Sequence, residues 1–438
     1  MQKISDKLHN RDLYLNRLIA FQDSEPVKII TGIRRCGKSS LLRLMAQHLR
    51  QNGITDKQII EMNFESFQFQ NMTPTELYRY VEEHLPTDKR VYLFFDEIQR
   101  IPQWQDAVNS FRVDFDCDIY ITGSNACLLS SEYATYLAGR SIEIKMLPLS
   151  FKEFLDFHGY KVQKTQNPAG DVHWTITDTA NNIFTAEQML TVYMRFGGMP
   201  GIADIGLDND KANILLDGIY STVVVRDILE RDKRQNQSQI SDPELLRRII
   251  LFLADNIGNS TSSNSIANIL KNEKLLSSSH KGSPSVNTVQ AYIASLLESF
   301  VFYEIKRFDI KGKENLRTLG KYYIVDVGLR NYLLGYRDTD IGHIIENIVF
   351  FELKRRGFDT AIGKIQNHEI DFIASNSNRK IYIQVTESMN DPAVREREMA
   401  PLRMIQDNYE KIVIAEYCDN PMTQDGIKIE KLSDFLLK

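Results

Sequence analysis

Cysteine is scarce: Cys36, Cys117, Cys127 and Cys418 are the four in 438 residues. They show no metal-ligand spacing and no disulfide density, which excludes a zinc ribbon or a stapled secreted scaffold and points to a reducing cytoplasm. Long apolar runs are also missing. None approaches the roughly 20 residues that span a bilayer, and the opening "MQKISDKLHNRDLYLNRL" has no apolar signal core. A cytoplasmic protein with no membrane partner is expected. Positive charge is not in excess: 53 Lys and Arg against 58 Asp and Glu leave a net −5. That argues against wholesale coating of nucleic acid and leaves room for a local basic patch. No internal repeat is present.

What remains is ordinary globular material, 42% apolar and 25% charged, too long for one core. Between residues 27 and 150, "VKIITG", "IIEMNFE", "VYLFFDE", "DIYITGS" and "SIEIKMLPLS" alternate with helical patterns. Apolar runs of this kind predict a parallel sheet covered on both faces. After the first run comes "GIRRCGKSS", which satisfies G-x-x-x-x-G-K-[ST] and precedes the helical "LLRLMAQHLR". Backbone N–H groups of such a loop cradle phosphates at a helix N-terminus. Gly32, Ile33, Arg34, Arg35, Cys36, Gly37, Lys38, Ser39 and Ser40 form the candidate cradle. Lys38 is expected to reach the β- and γ-phosphates of ATP, and Ser39 to help hold Mg²⁺.

Asp96 and Glu97 close "VYLFFDE" at a strand's carboxyl end, where open α/β sheets bind ligands. Asp96 is the candidate for the magnesium shell, Glu97 for positioning or deprotonating the attacking water. "IYITGSN" ends in Ser124 and Asn125, either of which can reach a γ-phosphate or that water; the choice between them stays open. Arg140, just before the fifth strand, is the candidate finger toward a neighbouring subunit's nucleotide, which would require a homo-oligomer. Of Arg34 and Arg35, at least one is expected in a structural ion pair. Cys36 reads as a tolerated small residue.

Lys161 to Ala186 turns polar and reads as an insertion or long loop, and the glycines of "FGGMPG" (196–201) are expected to break the chain sharply. From Pro243, three helical patterns and a hairpin suggest a winged helix. The expected wing gathers Lys306, Arg307, Lys311, Lys313, Arg317 and Lys321, a candidate DNA contact through phosphates. The last segment reads helix, strand, strand, helix, strand.

In combination, "GIRRCGKSS", "LFFDE", "YITGSN", "LAGR", "LPLSFKEF", "FGGMP", "YYIVDVGLRNYLLG", "ENIVFFELKRRG", "EIDF" and "YIQV" resemble the prokaryotic AAA-type ATPases that join an ATPase core, a winged-helix region and a C-terminal restriction-endonuclease-like domain of unknown function. The resemblance covers about residues 11–430. It implies an α/β P-loop NTPase core over 1–205, an α-rich winged-helix domain over 206–335 and a small α/β restriction-endonuclease-like domain over 336–438. It further implies ATP and Mg²⁺ as cofactors, with Lys38, Ser39, Asp96 and Glu97 in the phosphate-loop roles.

Glu346, Asp371, Gln384 and Thr386 occupy the nuclease scaffold positions, but Gln384 and Thr386 stand where an acid and a lysine would act. Glu369 is in phase with Asp371, and Arg395 or Arg397 is the candidate replacement cation. The expectation is an Mg²⁺-dependent ATPase working as switch or motor, with C-terminal adaptors and an inactive nuclease-like domain. An ATP-regulated metal-dependent endonuclease and a nucleotide-stabilised interaction protein with negligible turnover stay open as alternatives.

Overall fold

The computed structural model describes residues 8–86, 89–123, 139–166, 172–229, 240, 242–272, 284–312, 314–419 and 422–438. The chain divides into two compact units, one running to Leu147 and including Glu298–Phe300, the other made of Pro148–Leu297 and Val301–Lys438.

The first unit is built on five parallel strands that coincide with the five apolar runs. They are β1 (Val27–Thr31), β2 (Ile59–Asn63), β3 (Val91–Asp96), β4 (Cys117–Thr122) and β5 (Ser141–Lys145), in the order β2-β3-β4-β1-β5. Every position of β1 and β3 is buried, as an apolar strand covered on both faces requires. The helices are α1 (Asp12–Ala20), α2 (Lys38–Gln51), α3 (Pro74–Glu83) and α4 (Trp104–Asp114). Helix α3 begins where it does because Thr73 and Glu76 cap each other reciprocally and Pro74 fills the first helical position. Leu77 and Val81 of α3 and Val108 and Phe111 of α4 join Leu93, Phe95 and Ile121 in one core.

In the second unit the polar stretch after Lys161 is not a long loop. It forms a three-stranded antiparallel sheet of β6 (Lys161–Gln166), β7 (Val172–Thr177) and β8 (Ile183–Thr185). Polar composition masked the pleat: Ile176 is buried, Lys164 lies 5.6 Å from the Trp174 ring, and Trp174 Nε1 donates to Asp434 at 2.7 Å.

Helices Pro243–Asp255, Ser263–Asn272 and Val286–Glu298 follow the three helical patterns. The hairpin β9 (Phe302–Asp309) and β10 (Glu314–Ile324) then pairs through β9 with β11 (Asp359–Ile365). With β12 (His368–Ser375), β13 (Lys380–Ser388), β14 (Glu410–Tyr417), β15 (Thr423–Gln424) and β16 (Ile427–Lys431) it makes one eight-stranded sheet, ordered β10-β9-β11-β12-β13-β14-β16-β15. Strands on both sides of residue 335 therefore share a sheet. The helix Ile341–Arg355 packs Phe350 on Tyr323 and Phe372, with ring centres at 4.4 and 6.3 Å. The helix Pro392–Arg403 buries Met399 and Leu402 with Tyr382, Val413 and Ala415.

"FGGMPG" does break the chain, and the reason is close packing. A Cβ on Gly198 would lie 2.3 Å from the Leu149 carbonyl oxygen, and Gly197 has φ +75°. The Gly198 N–H donates to Asp326 at 2.6 Å, and Asp326 also takes the Leu329 N–H at 3.0 Å. Burial pushes the Asp326 carboxyl up to about 6 against those backbone donors. Its unfolded value is near 3.9, so the stability linked to it is complete below about pH 4 and is lost as pH rises through 6, roughly 3 kcal/mol in all. Asp326→Asn is expected to remove one proton's worth of slope from the plot of unfolding free energy against pH over that window. Urea titrations between pH 4 and 7 measure it.

Candidate functional site

The chain leaving β1 turns at Gly32, whose φ of +143° and whose approach to Met146 leave no room for a side chain: a Cβ would sit 2.1 Å from the Met146 carbonyl oxygen. Gly37, at φ +104°, caps α2. Lys38, the first residue of α2, is buried, and its Nζ donates to the carbonyls of Gly32 at 2.9 Å and Ile33 at 3.0 Å. The ammonium is thereby folded back over the loop at the N-terminus of α2.

Asp96, at the end of β3, is the hub of the site. Its Oδ1 accepts from Ser39 Oγ at 3.0 Å and Thr122 Oγ1 at 2.5 Å, and its Oδ2 accepts from Asn63 Nδ2 at 2.9 Å. Burial raises the Asp96 carboxyl above the usual range, opposed by the hydrogen bonds from Thr122 and Ser39. Glu97 follows in a left-handed conformation, φ +57°. Its N–H donates to Thr122 Oγ1 at 3.0 Å, and Gln99 Nε2 donates to its carboxylate at 2.5 Å. A turn of that kind re-aims the glutamate relative to the strand that carries Asp96.

Lys38, Ser39, Asp96 and Glu97 are thus brought together. Ser124, Asn125 and Lys313 lie outside the described residues, as does the side chain of Arg317. Arg140 is exposed, and its carbonyl accepts from Val27 N–H at 2.9 Å. It stands at the amino end of β1, away from the loop, and does not join its own chain's site. Arg34 lies 3.8 Å from Glu65, which also takes Arg100 at 2.8 Å, while Arg35 is exposed with φ +63°. Cys36 is buried and its thiol is pushed up by burial.

Two residues of this constellation escaped the sequence reading, Thr122 and Asn63. Both end strands beside β3, and Asn63 is in register with Asp96. The signal was present as a polar residue closing each apolar run.

A second cluster corrects the reading of the hairpin. Lys321 does not face solvent for a phosphate: it is buried, with Nζ 2.8 Å from Glu346, 2.9 Å from Glu369 and 3.6 Å from Asp371. The hairpin's pairing with β11 turns this strand toward the helix Ile341–Arg355, so the lysine meets carboxylates instead of water. Tyr323 donates to Glu346 at 2.7 Å. Burial opposes the charge on Lys321, yet the three carboxylates together hold it above its ordinary value. Asp371 is pushed up to about 7, first by burial and then by Glu346. Its Oδ2 accepts from Val385 N–H at 2.8 Å, and its own N–H reaches the Gln384 carboxamide oxygen at 3.4 Å.

The cation among these acids therefore comes from β10, not from Arg395 or Arg397. Arg395 donates to the Met389 carbonyl at 2.8 Å, and Arg397 to Glu398 at 2.7 Å. Of the remaining basic residues on the hairpin, Lys306 and Lys311 are exposed, and Arg307 is half-buried 4.0 Å from Glu369.

Residues 24–155 match the family model described as an AAA domain, and residues 187–340 match a domain of unknown function, DUF8612. An uncharacterized protein of Haemophilus influenzae is 36% identical over 437 residues, covering 99% of this chain and all of that protein. The uncharacterized protein MJ1544 of Methanocaldococcus jannaschii is 32% identical over 403 residues, 90% of this chain and 80% of that one. Among solved structures, the Walker-type ATPase PABY2304 of Pyrococcus abyssi is 15% identical, with 74% of this chain and 95% of that chain covered at a TM-score of 0.46. No helix among the described residues is long and apolar enough to cross a membrane. At that identity and coverage the chain belongs to the family of the H. influenzae and M. jannaschii proteins, with an AAA-type P-loop ATPase fold in its N-terminal part.

Proposed function

We propose that this chain binds ATP with Mg²⁺ at residues 32–40 and hydrolyses it, working as a switch or motor whose C-terminal segments are adaptors. The observation that carries the reading is the convergence of Ser39, Thr122 and Asn63 on Asp96, with Glu97 beside it. The donor set fits the cofactors. Ser39 Oγ and Asp96 Oδ1 are neighbouring oxygens, suited to a hard cation, and the N-terminus of α2 with Lys38 suits phosphate. Mg²⁺, when bound, neutralises charge on the β- and γ-phosphates. Lys38 would contact those phosphates, Ser39 and Asp96 would hold the cation, and Glu97 would orient or deprotonate the attacking water. Ser124 or Asn125 would contact the γ-phosphate or that water. Arg140, remote from its own loop, would act only on a neighbouring subunit, which calls for a homo-oligomer.

We divide the functional segments at 205 and 335: the AAA-type ATPase segment, a winged-helix-like helical segment, and a restriction-endonuclease-like segment that shares its sheet with the preceding hairpin. Lys306, Arg307 and Lys311 remain the proposed phosphate contacts to DNA. A cytoplasmic setting follows from the thin cysteine content.

The test is steady-state ATP hydrolysis with Mg²⁺, with and without duplex and single-stranded DNA. Glu97→Gln is expected to bind ATP like the parent and to turn it over about 10²-fold more slowly or worse, the scale of a lost general base. Parent and variant with the same slow turnover would replace this reading with a nucleotide-stabilised interaction protein.

One observation favours a second reading, an ATP-regulated metal-dependent endonuclease. Lys321 supplies the ammonium that Thr386 does not, among Glu346, Glu369 and Asp371. Divalent-dependent DNA cleavage lost in Asp371→Ala would establish it, whereas a domain without cleavage would stay an adaptor.

A further inference from the structure

We infer that Arg11, outside the phosphate-loop motif, is a positioning residue that sets the direction of a loop amide facing the nucleotide. This rests on the nucleotide site proposed above. Arg11 precedes α1 and is only 2% exposed. Its guanidinium is a two-pronged clamp: Nη1 donates to the Cys36 carbonyl at 3.1 Å, inside the loop, and Nη2 donates to the Leu147 carbonyl at 3.0 Å, just beyond β5. The Tyr14 ring lies 4.9 Å from the guanidinium carbon, and Tyr14 Oη accepts from Leu147 N–H at 3.1 Å. A rigid fork of this kind is something a lysine cannot reproduce.

The consequence follows from the geometry of one peptide unit. In a trans peptide the C=O and the N–H of the next residue point in opposite directions. Tying the Cys36 carbonyl to Arg11 therefore turns the Gly37 N–H away from the guanidinium. Arg11 lies behind the loop: a Cβ on Gly37 would be 3.9 Å from Nη1 and 3.3 Å from Met146 Cε. The side opposite is where a phosphate at the N-terminus of α2 would lie. Gly37, at φ +104°, is also the residue whose peptide could most easily flip. Arg11 removes that freedom before any phosphate arrives, and preorganised donors bind an anion without first having to be ordered. The clamp also makes α1 sense the loop. By linkage, whatever strengthens the loop–Arg11 bond when nucleotide binds is returned as protection of the first turn of α1, whose Tyr14 and Leu15 N–H groups rest on the Arg11 carbonyl.

The experiment uses the full chain and a fluorescent ADP analogue, with the parent, Arg11→Ala, Arg11→Lys, Tyr14→Phe and Lys38→Ala. Arg11→Ala is expected to weaken binding at least about tenfold, Arg11→Lys to fall between it and the parent, and Tyr14→Phe to bind like the parent. In turnover, KM rises while kcat changes by less than about threefold. Low guanidinium chloride, against sodium chloride at equal ionic strength, restores part of the Arg11→Ala affinity. Hydrogen exchange at the start of α1 slows on nucleotide addition in the parent and not in Arg11→Ala. If Arg11→Ala does not fold, Arg11→Lys decides by the same affinity and exchange measurements. Parent-like affinity in the folded Arg11 variants overturns the inference, and so does an equal loss in Tyr14→Phe, which would mark a merely structural contact. A parent that binds no better than Lys38→Ala overturns the nucleotide site itself, and the inference with it.

Discussion

Lys321→Met is expected to destabilise the second unit by about 3–5 kcal/mol at pH 8, the scale of breaking a buried ion pair from one side. The lysine side chain is 4% exposed and lies between Glu346, Glu369 and Asp371. Methionine fills a similar volume, so the loss is not a cavity; it is three carboxylates left without their counter-ion. The effect carries a pH signature. Asp371 already stands at about 7 in the intact cluster, through burial and Glu346, against about 3.9 in an unfolded chain. A carboxyl raised by folding contributes stability that is complete below its unfolded value and is lost as pH rises through its folded one. Without the ammonium, which holds it down, the Asp371 carboxyl moves further up, so the variant's deficit is smallest near pH 5 and grows through pH 7 and 8. Urea midpoints of parent and variant at pH 5 and 8 test this. A variant as stable as the parent at pH 8 would remove Lys321 from the centre of the C-terminal architecture. Adding Glu346→Gln to the variant should recover part of the loss, because it takes one uncompensated charge out of the cluster.

How far the sequence could be read depended on the range of the interactions. The five strands and the loop of the ATPase part were legible because each signal is local: an apolar run, two glycines where the backbone needs positive φ, and a lysine and serine opening a helix. Asp96 and Glu97 were legible as acids closing a buried strand. Thr122 and Asn63 were not, because their partnership with Asp96 is set by the register of β2, β3 and β4, which no local pattern encodes. Ser124 and Asn125, expected to reach the γ-phosphate or the attacking water, lie outside the described residues; Thr122, at the end of β4, is the residue whose hydroxyl reaches Asp96.

The same distinction explains Lys321. As part of a basic hairpin it read as a solvated charge; pairing of β9 with β11, over fifty residues on, turned it into a buried one. The alternation in β7 was visible but outweighed by polar composition, and β11 was passed over because a glycine splits the apolar residues of "DTAIGKI". Glu346, named from sequence as a nuclease scaffold position, is held inside its apolar helix by Lys321 and Tyr323.

Asp96→Asn is expected to lower ATP turnover by about 10²–10³-fold, equivalent to roughly 3–4 kcal/mol of transition-state stabilisation, on the mechanism proposed above. The carboxylate accepts from three side-chain donors, Ser39, Thr122 and Asn63. An asparagine has one acceptor oxygen and one donor nitrogen. In one orientation its N–H meets the donor-only Asn63 NH₂; in the other, Ser39 and Thr122 lose their acceptor and must rotate their hydroxyls to accept instead. The negative charge suited to the cation is lost at the same time. Thr122→Val separates the two effects, since it keeps the charge, removes one donor to Asp96 and frees the Glu97 N–H; its loss should be smaller, nearer tenfold. Burial also raises the Asp96 carboxyl above the ordinary range. A protonated Asp96 would carry the same donor conflict as asparagine, and Mg²⁺ held beside it would favour the carboxylate, so any fall in parent turnover on the acid side should move to lower pH as Mg²⁺ is raised. The residual rate of Asp96→Asn should lack that limb. Measuring kcat from pH 5 to 9 for the three proteins decides the matter, and an acid limb that persists unchanged in Asp96→Asn would show that Asp96 is not its source.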